Sequence, residues 1–298
     1  MKIALVATGG TIGSRVDSDG VIRLSDAATD QIANAVGATR VFDSFKIHSE
    51  KMEFADLNEF RRIIEAAQKS EPDAIVVSHG TDTLAFSSAY LAYAFSSTRI
   101  PIVICAADAP LTEHDSNGFD ILQSTKTFLR TGKPGVYVVY KNPEMPTRIH
   151  HAARLMPAHL HEHYYFSIGD SVFHDSGLMR DLNFDIDGRK AISITPYVGL
   201  DYSAFNVDGM SAVVHSAYHS GTVNAAALNA FAEAHPELPI YLTVGKRKYA
   251  GQDFAENIVP CYGITQNSLY IKVLIGLKNN IKDLPAFVRK NAVGEIVE

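Results

Sequence analysis

Short apolar runs rich in β-branched residues alternate along the chain with longer segments in which apolar residues recur every three or four positions. The short runs predict buried strands, at residues 3–7, 41–48, 74–77, 100–107 and 136–140. The longer segments predict helices at residues 25–36, 56–69, 83–95 and 118–129, of which the one at 56–69 is amphipathic. Strands that alternate with helices at this spacing predict an α/β fold with a doubly wound parallel sheet.

This pattern loosens after Lys141 and returns at Ala191. The stretch at 170–190 is polar and rich in Asp and Gly, which favours a hairpin and a linker. A second set of elements predicts a smaller α/β domain, with strands at 192–195, 212–215 and 240–244 and helices at 224–233 and 267–277. We therefore expect an amino-terminal domain, a linker and a carboxyl-terminal domain, at residues 1–175, 176–190 and 191–298.

Composition narrows the class of protein. Hydrophobic residues make up 46% of the 298 positions and charged residues 20%, which is typical of a globular protein. The net charge of −6 gives no reason to expect a nucleic-acid partner. No apolar stretch approaches the ~20 residues of a membrane span, and the first apolar run is too short for a signal peptide. Cys105 and Cys261 lie in or beside apolar runs, which favours a reduced, cytoplasmic location.

Two polar turns follow predicted strands. His79–Thr83 follows the strand at 74–77 and opens a helix, and the carboxyl ends of parallel strands are where open α/β sheets place their chemistry. Within this turn, Gly80 lets the backbone bend, and a hydroxyl and a carboxylate follow it directly. The first strand runs into the turn Thr8–Ser14. That turn departs from a dinucleotide-binding fingerprint, because Thr8 replaces the first Gly and Arg15–Gly20 is polar and loop-like rather than helical.

Together, Ala7–Gly13 and His79–Thr83 resemble the two signature motifs of the bacterial-type L-asparaginases. The pair in this order, about 70 residues apart, is more specific than either motif alone. The resemblance implies a larger amino-terminal and a smaller carboxyl-terminal α/β domain. It also implies a homodimer or homotetramer in which each active site borrows residues from the partner's small domain.

The resemblance also implies roles for individual residues. The implied catalytic residues are Thr11, the nucleophile, with Thr81 and Asp82 of the second motif. The implied substrate-binding residues are Ser49 for the α-carboxylate, Glu50 for the α-ammonium, and the two turn glycines Gly10 and Gly80. A nucleophile that forms an acyl-enzyme can hydrolyse asparagine, or a related small amino-acid amide, in two steps. This chemistry needs neither a metal ion nor an organic cofactor.

Two positions depart from the family pattern. The family has a Lys after the fifth strand, but residues 148–154 contain none, and the polar candidates there are His150, His151 and Arg154. The family loop after the first motif also carries a Tyr, whereas Val21 falls near the expected place. Either a histidine of this segment supplies the missing base or the reaction is slow.

Histidines cluster in the loosened region, with five of the twelve between 148 and 163. His159, His161 and His163 alternate and would share one face of a strand. A zinc site is one interpretation, but no partner Cys or H-E-x-x-H helix accompanies them, so surface or interface histidines are favoured.

Three function classes remain open. The first is an amidohydrolase, and the second is an asparaginase-like amidotransferase subunit that releases ammonia for a partner acting on tRNA. Subunits of that kind carry an extra amino-terminal domain, so the start of this chain at its first strand counts against the second class. The third is a catalytically weakened member that binds an acidic amino acid. Ammonia release distinguishes the first class from the third.

Overall fold

The fold is described by a computed structural model that covers residues 1–43, 45–158, 163–170, 172–245 and 252–297. Its strands are β1 (Ile3–Ala7), β2 (Ser14–Val16), β3 (Ile22–Leu24), β4 (Arg40–Phe42), β5 (Ala74–Ser78), β6 (Pro101–Cys105), β7 (Gly135–Tyr140), β8 (Arg148–His151), β9 (Ala191–Ile194), β10 (Ala212–Ser216), β11 (Ile240–Val244) and β12 (Ile258–Tyr262). Its helices are α1 (Asp26–Val36), α2 (Phe54–Gln68), α3 (Leu84–Ala94), α4 (Gly118–Leu129), α5 (Ala225–Ala234), α6 (Gln266–Lys278) and α7 (Leu284–Arg289).

The larger sheet has the strand order β4-β1-β5-β6-β7-β8. Its neighbouring strands are parallel except for β7 and β8, which are antiparallel. Strands β1, β5, β6 and β7 are buried along their whole length. Because helices cover both faces of such a sheet, these strands are unbroken apolar runs in the sequence rather than alternating ones. The α/β fold with a doubly wound parallel sheet is therefore confirmed.

Two crossover connections of this sheet have opposite hands. Helices α1 and α4 pack against each other, and the Lys126 ammonium of α4 lies 3.5 Å from the Ala35 carbonyl of α1, so both helices lie on one face. However, α1 leads from β1 towards β4, whereas α4 leads from β6 towards β7 in the opposite direction across the sheet. One of these two crossovers is therefore left-handed, against the strong right-handed preference of such units.

The smaller sheet has the order β12-β11-β10-β9, and all its neighbouring strands are parallel. Helix α6 packs on this sheet and also on α3 of the larger one. At that junction, the Asn267 side-chain amide donates to the carbonyl of Ala85 at 2.7 Å and to that of Leu155 at 3.2 Å. The carboxyl-terminal α/β part is thus joined to the larger sheet through one buried helix.

Segment 291–297 returns from α7 to the larger sheet. There, the His151 ring donates to the Val293 carbonyl at 2.8 Å. Glu295 forms an ion pair with Lys272 of α6, and both side chains are completely buried. Segment 291–297 therefore packs beside the edge strand β8, although the two are far apart in sequence. Within the described residues, every helix is too short or too polar to span a membrane.

Several predicted elements differ from those observed. Strands β8 and β12 and helix α7 have no counterpart in the sequence prediction, and the strand predicted at 41–48 is limited to Arg40–Phe42. The loop predicted at 15–20 belongs to the antiparallel hairpin of β2 and β3. The hairpin predicted at 170–190 is wrong, because the described residues there contain no strand. This stretch has no regular secondary structure over most of its described length. It is anchored because Met179 and Ile186 are buried in the main core.

Candidate active site

The turns after β1 and β5 are in backbone contact. Gly10 has a φ of +71°, and a Cβ at this position would overlap the backbone of His79 and Gly80. Only glycine combines that left-handed conformation with so close an approach. The structure therefore brings the two turns predicted from the sequence together at the carboxyl ends of neighbouring strands.

A third turn, Ser49–Lys51, joins the same place. A Cβ on Gly80 would overlap the Ser49 side chain, which is 3% exposed. The turn is held because the Ile47 N–H donates to the Thr8 carbonyl at 2.9 Å, just after β1. The Ser49 hydroxyl in turn donates to the Asp82 carboxylate at 3.2 Å. The predicted residues Ser49 and Asp82 therefore share one hydrogen bond.

Thr11 opens a short 3₁₀ turn, Thr11–Gly13, and is partly exposed. The Gly10 carbonyl before it accepts two hydrogen bonds, from the Gly13 N–H at 3.0 Å and from the Ser14 hydroxyl at 2.8 Å. These bonds fix the peptide that precedes Thr11. They hold the partly exposed Thr11 just beyond the carboxyl end of β1.

Three backbone N–H groups at this edge have no acceptor among the described residues: those of Thr11, Thr81 and Asp82. Unpaired N–H groups at the starts of helical turns form a positive environment. An oxyanion that develops beside them would be stabilised. Of the acidic side chains, Asp82 is exposed at this edge, and Glu50 is exposed without a hydrogen bond or ion pair to another described residue.

His79 lies under the turn rather than in the site. Its ring is fully buried and stacks on Phe60 with ring centroids 5.6 Å apart. Its Nδ1–H donates to the Gly80 carbonyl at 2.6 Å. Burial lowers the pKa of His79 to about 4, so the ring is neutral at physiological pH. The His79 ring therefore supports the turn, and it places no positive charge near the proposed reacting groups.

The sequence prediction missed Tyr165. Its hydroxyl donates to the Thr81 carbonyl at 2.6 Å, and its ring packs on Tyr140 at the end of β7, with centroids 4.6 Å apart. Asn142 binds the Tyr165 backbone on both sides, accepting from its N–H at 2.8 Å and donating to its carbonyl at 3.0 Å. No local pattern indicates this role, because Tyr165 belongs to an irregular segment and its contacts are distant in sequence.

Two candidates for replacing the family Lys are engaged elsewhere. His151 donates through Nε2 to the Val293 carbonyl at 2.8 Å and accepts at Nδ1 from the Ala153 N–H at 3.1 Å. Burial lowers its pKa to about 4. Arg154 donates to the carbonyls of Gly294 and Asp170. Both side chains are thus held by backbone groups of other segments, and neither makes a hydrogen bond to Thr81 among the described residues.

The third candidate, His150, lies on the edge strand β8. Its Nδ1 lies 3.0 Å from the Ser167 hydroxyl, and burial lowers its pKa to about 4. Strand β8 is separated from β5 by β6 and β7, which places it roughly 14 Å across the sheet at the usual strand spacing. His150 is therefore remote from the turn that carries Thr81.

The hairpin of β2 and β3 follows the first turn and carries no Tyr. Val21, at the position nearest to the family Tyr, is 48% exposed. The hairpin tip is held by ion pairs of Arg23 with Asp17 and Asp19, each at 2.8 Å. The tip is thus an ordered, charged structure.

The histidine cluster gives no metal centre in the described part of the chain. His159 and His161 lie outside the described residues, and His163 is exposed. Among the described residues, no three His, Cys, Asp or Glu side chains are grouped as metal ligands.

Comparison with known proteins finds relatives over part of the chain. It is 33% identical over 154 residues to an L-asparaginase of Thermococcus kodakarensis, which is 49% of this chain and 45% of that protein. It is also 33% identical over 145 residues to a glutamyl-tRNA(Gln) amidotransferase subunit of Thermoplasma acidophilum, which is 45% of this chain and 34% of that protein. The chain thus matches less than half the length of these curated relatives.

Solved structures share the fold along the whole chain. The thermostable L-asparaginase from Thermococcus kodakarensis matches with a TM-score of 0.77 at 23% identity, covering 100% of both chains. L-asparaginase I from Vibrio cholerae matches with a TM-score of 0.77 at 19% identity, covering 100% of this chain and 99% of that one. At these identities, the likeness concerns the fold.

A family model described as asparaginase, N-terminal, matches residues 2–169. The match covers more than half of the chain and includes both turns whose glycines are in contact. It agrees with the resemblance of these turns to the asparaginase motifs. The chain therefore belongs to the asparaginase family.

Proposed function

We propose that the chain is an amidohydrolase that hydrolyses the side-chain amide of asparagine or of a related small amino-acid amide. The observation that carries this proposal is the contact between the turns of Gly10, Gly80 and Ser49, which leaves no room for one further carbon atom. That contact brings the turn of Thr11 next to the turn of Thr81, which supports a site shared by the two residues. The fold alone would not support an activity, because one fold hosts many functions.

Thr11 is the proposed nucleophile. Its hydroxyl oxygen attacks the amide carbon, and the nitrogen leaves as ammonia after taking up a proton, which leaves an ester on Thr11. Water then hydrolyses this ester to the free acid and restores the hydroxyl. A Thr hydroxyl is a weak nucleophile at neutral pH, so a base takes its proton directly or through a water molecule.

The free backbone N–H groups supply the proposed oxyanion site. The amides of Thr11, Thr81 and Asp82 have no acceptor among the described residues, and donors of this kind stabilise the charge on a tetrahedral intermediate. The site therefore has a source of electrostatic stabilisation that needs no cation.

The other end of the substrate is proposed to bind at the third turn. The Ser49 hydroxyl binds the α-carboxylate, and the carboxylates of Asp82 and Glu50 bind the α-ammonium. The hydrogen bond between Ser49 and Asp82 at 3.2 Å supports this assignment, because it holds the two groups side by side. A free amino acid amide is therefore preferred over a simple amide.

We propose a slow turnover. Residues 148–154 contain no Lys, and His151 and Arg154 are already bound to backbone carbonyls. A positioned general base contributes about 10²–10⁴-fold to such a reaction. A family member without this general base would still bind an acidic amino acid. In the extreme case, this chain would be the catalytically weakened binding protein of the third function class.

Ammonia release from asparagine and glutamine, with mass spectrometry after rapid quenching, tests the proposal. We expect an acyl adduct on the peptide that holds Thr11. Thr11→Val should abolish the adduct and the ammonia while leaving the thermal midpoint nearly unchanged, whereas the exposed Thr131→Val serves as the control. An adduct on another peptide, or full activity of Thr11→Val, would refute the assignment.

A second candidate function is that of an amidotransferase subunit, and the similarity to two relatives of that kind favours it. These relatives, from Thermoplasma acidophilum and Methanosarcina barkeri, are named as subunits of a glutamyl-tRNA(Gln) amidotransferase. If this chain acts in the same way, ammonia release from glutamine should rise when glutamyl-tRNA(Gln) and the partner protein are added. If neither addition changes the rate of ammonia release, the chain acts as an amidohydrolase without a partner.

Assembly into a homodimer or homotetramer is part of the proposal. Large apolar side chains are exposed in the loops after β9 and β10, where Tyr197 is 58%, Val198 98% and Tyr218 40% exposed. Exposed apolar groups of this kind are typical of an interface. Sedimentation of the purified chain tests the assembly, and a monomer at micromolar concentration would contradict it.

We also propose a cytoplasmic location and the domain limits 1–175, 176–190 and 191–298. The two cysteines, Cys105 and Cys261, are free and buried, which suits a reducing compartment. The separate larger and smaller sheets support two domains with irregular chain between them. Limited proteolysis with cleavage inside 176–190 tests these limits.

A further inference from the structure

Tyr165 connects the irregular segment after β8 with the turn after β5. Its hydroxyl donates to the Thr81 carbonyl at 2.6 Å, although the two residues are 84 positions apart in sequence. We propose that Tyr165 is a positioning residue that fixes the peptide between Thr81 and Asp82. This inference rests on the proposed amidohydrolase function and assigns to that function a residue outside both motifs.

Tyr165 is itself held firmly. Its ring is 4% exposed and packs on Tyr140. Asn142, which is 3% exposed, pairs with the backbone N–H and carbonyl of Tyr165 through its side-chain amide. A hydroxyl on a rigid ring whose backbone is bound on both sides has little freedom to move. The bond to Thr81 is therefore made from a fixed point.

The bonded carbonyl belongs to the same planar unit as the Asp82 N–H. Because a trans peptide is planar, the direction of the Thr81 carbonyl sets the direction of the Asp82 N–H, which points the opposite way. That N–H has no acceptor among the described residues. The Leu84 N–H also donates to this carbonyl, at 3.2 Å, so Tyr165 and Leu84 together turn the carbonyl away and leave the Asp82 N–H facing the proposed oxyanion site.

This peptide and the side chain that follows it are held from two sides of the site. Tyr165 binds the carbonyl end, and the Ser49 hydroxyl binds the carboxylate of Asp82 at 3.2 Å. The first contact comes from beyond β7 and the second from the turn after β4. The Tyr165 bond restrains the peptide itself, and the Ser49 bond restrains the side chain of Asp82 next to it.

Tyr165 acts as a hydrogen-bond donor and not as a base. Burial raises the pKa of its hydroxyl, and the nearby Tyr140 and Asp82 raise it further. The hydroxyl therefore keeps its proton at neutral pH. Within the described part of 141–170, it is the side chain that reaches Thr81, because His151 and Arg154 are bound to the backbone at Val293 and Gly294.

Tyr165→Phe tests the inference, with Tyr137→Phe as a matched control. Tyr137 is 3% exposed, and its hydroxyl also donates to a backbone carbonyl, that of Pro134 at 2.9 Å, but at the opposite end of β7. Both variants lose one buried hydrogen bond, so their thermal midpoints should fall alike. Only Tyr165→Phe should lose kcat, by about 10- to 100-fold, since outright removal of an oxyanion donor costs ~10²–10³-fold.

The KM for the amide should change less than about two-fold in Tyr165→Phe, because the oxyanion exists only in the transition state. If kcat falls by the same factor in Tyr137→Phe, the loss of activity comes from lower stability and not from the position of Tyr165. An unchanged kcat for Tyr165→Phe would overturn the positioning role.

Hydrogen exchange at the Leu84 amide, which donates to the Thr81 carbonyl at 3.2 Å, separates this inference from the proposed function. Tyr165→Phe should exchange faster there than wild type, and Tyr137→Phe should not. If wild type releases ammonia from no amide, the proposed function fails, and the exchange rates alone decide whether Tyr165 fixes the turn. Equal exchange in all three proteins would refute the inference.

Discussion

At the scale of single residues, the site depends on short contacts between three turns. The Ser49 hydroxyl and the Asp82 carboxylate share a hydrogen bond, and the N–H groups beside them are free of acceptors among the described residues. These contacts define the proposed zwitterion-binding end. Their strength can be measured by removing one polar group at a time.

Ser49→Ala and Asp82→Asn should each lower kcat/KM for asparagine. A hydrogen bond to a charged group contributes about 1.5–3 kcal/mol, which corresponds to roughly 10- to 150-fold. The measurement is steady-state ammonia release, with exposed Asp115→Asn as the control for loss of one negative charge. Wild type that hydrolyses a simple amide as fast as asparagine would contradict the assignment.

His151 should make the protein less stable in acid. Burial lowers its folded pKa to about 4 from an ordinary value of 6.5, so below pH 6.5 the unfolded chain takes up a proton that the folded protein does not. Stability is therefore complete above pH 6.5 and is lost as pH falls towards 4, by about 2 kcal/mol at pH 5.

Urea denaturation at pH 7.5 and pH 5 measures this loss. His151→Gln should remove about 2 kcal/mol of the difference between the two pH values, since its side chain does not titrate. The exposed His163→Gln is the control. A pH dependence of His151→Gln equal to that of wild type would show that other groups dominate.

The sequence proposes residues for the candidate site where their signal is local. Thr11, Thr81 and Asp82 follow apolar strands directly, and Gly10 and Gly80 mark the bends. Residues that contact the site from distant parts of the sequence carry no such local signal. Tyr165 reaches Thr81 across 84 positions and Asn142 binds it across 23, so their roles require the folded chain.

At the scale of elements, the meeting of the turns after β1 and β5 depends on glycine. Gly10→Ala should separate them, because the added methyl group would overlap His79 and Gly80 and the φ of +71° disfavours it. We expect kcat/KM to fall by more than about 10²-fold, as for other small misplacements of catalytic groups.

Gly20→Ala controls for the backbone strain alone. Gly20 has a φ of +78° but nothing within 4 Å of an added Cβ. The Gly20→Ala variant should lose about 1–2 kcal/mol of stability and keep its activity. Similar activity in the Gly10 and Gly20 variants would mean that contact between the turns is unimportant for catalysis.

Elements were predictable when both faces are buried. Strands β1, β5, β6 and β7 are nearly continuous apolar runs. Helices α2 and α4 show a clear apolar face, whereas α3 is buried on nearly all sides. The edge strand β8 contains Arg148 and two histidines, and β12 contains Pro260, so neither has the pattern of a buried strand. Helix α7 has six residues, which is too short for periodicity to show.

At the scale of the whole molecule, the buried ion pair of Lys272 and Glu295 joins α6 to segment 291–297. Lys272→Met should destabilise the protein by about 3–5 kcal/mol, because it leaves a buried carboxylate without its cation. Urea denaturation measures the loss. Arg180→Ala, which breaks an ion pair with Asp175 at a largely exposed guanidinium, should cost less than about 1 kcal/mol.

The double variant Lys272→Met, Glu295→Gln should recover part of that stability. A neutral amide oxygen can still accept from the Ala292 and Val293 N–H groups, which now bind the Glu295 carboxylate. If the double variant is as unstable as Lys272→Met alone, the uncompensated charge is not the cause of the loss.

Segment 291–297 also ties the folding of this protein to the progress of its translation. The bonds from His151 to Val293 and from Arg154 to Gly294 span 142 and 140 positions. At roughly 5–20 residues per second, a ribosome takes about 7–28 seconds to add that much chain. During this interval the β8 edge of the larger sheet has emerged without the carbonyls that satisfy it. The side chains of His151 and Arg154 therefore reach their final hydrogen-bond partners only after segment 291–297 has been synthesised.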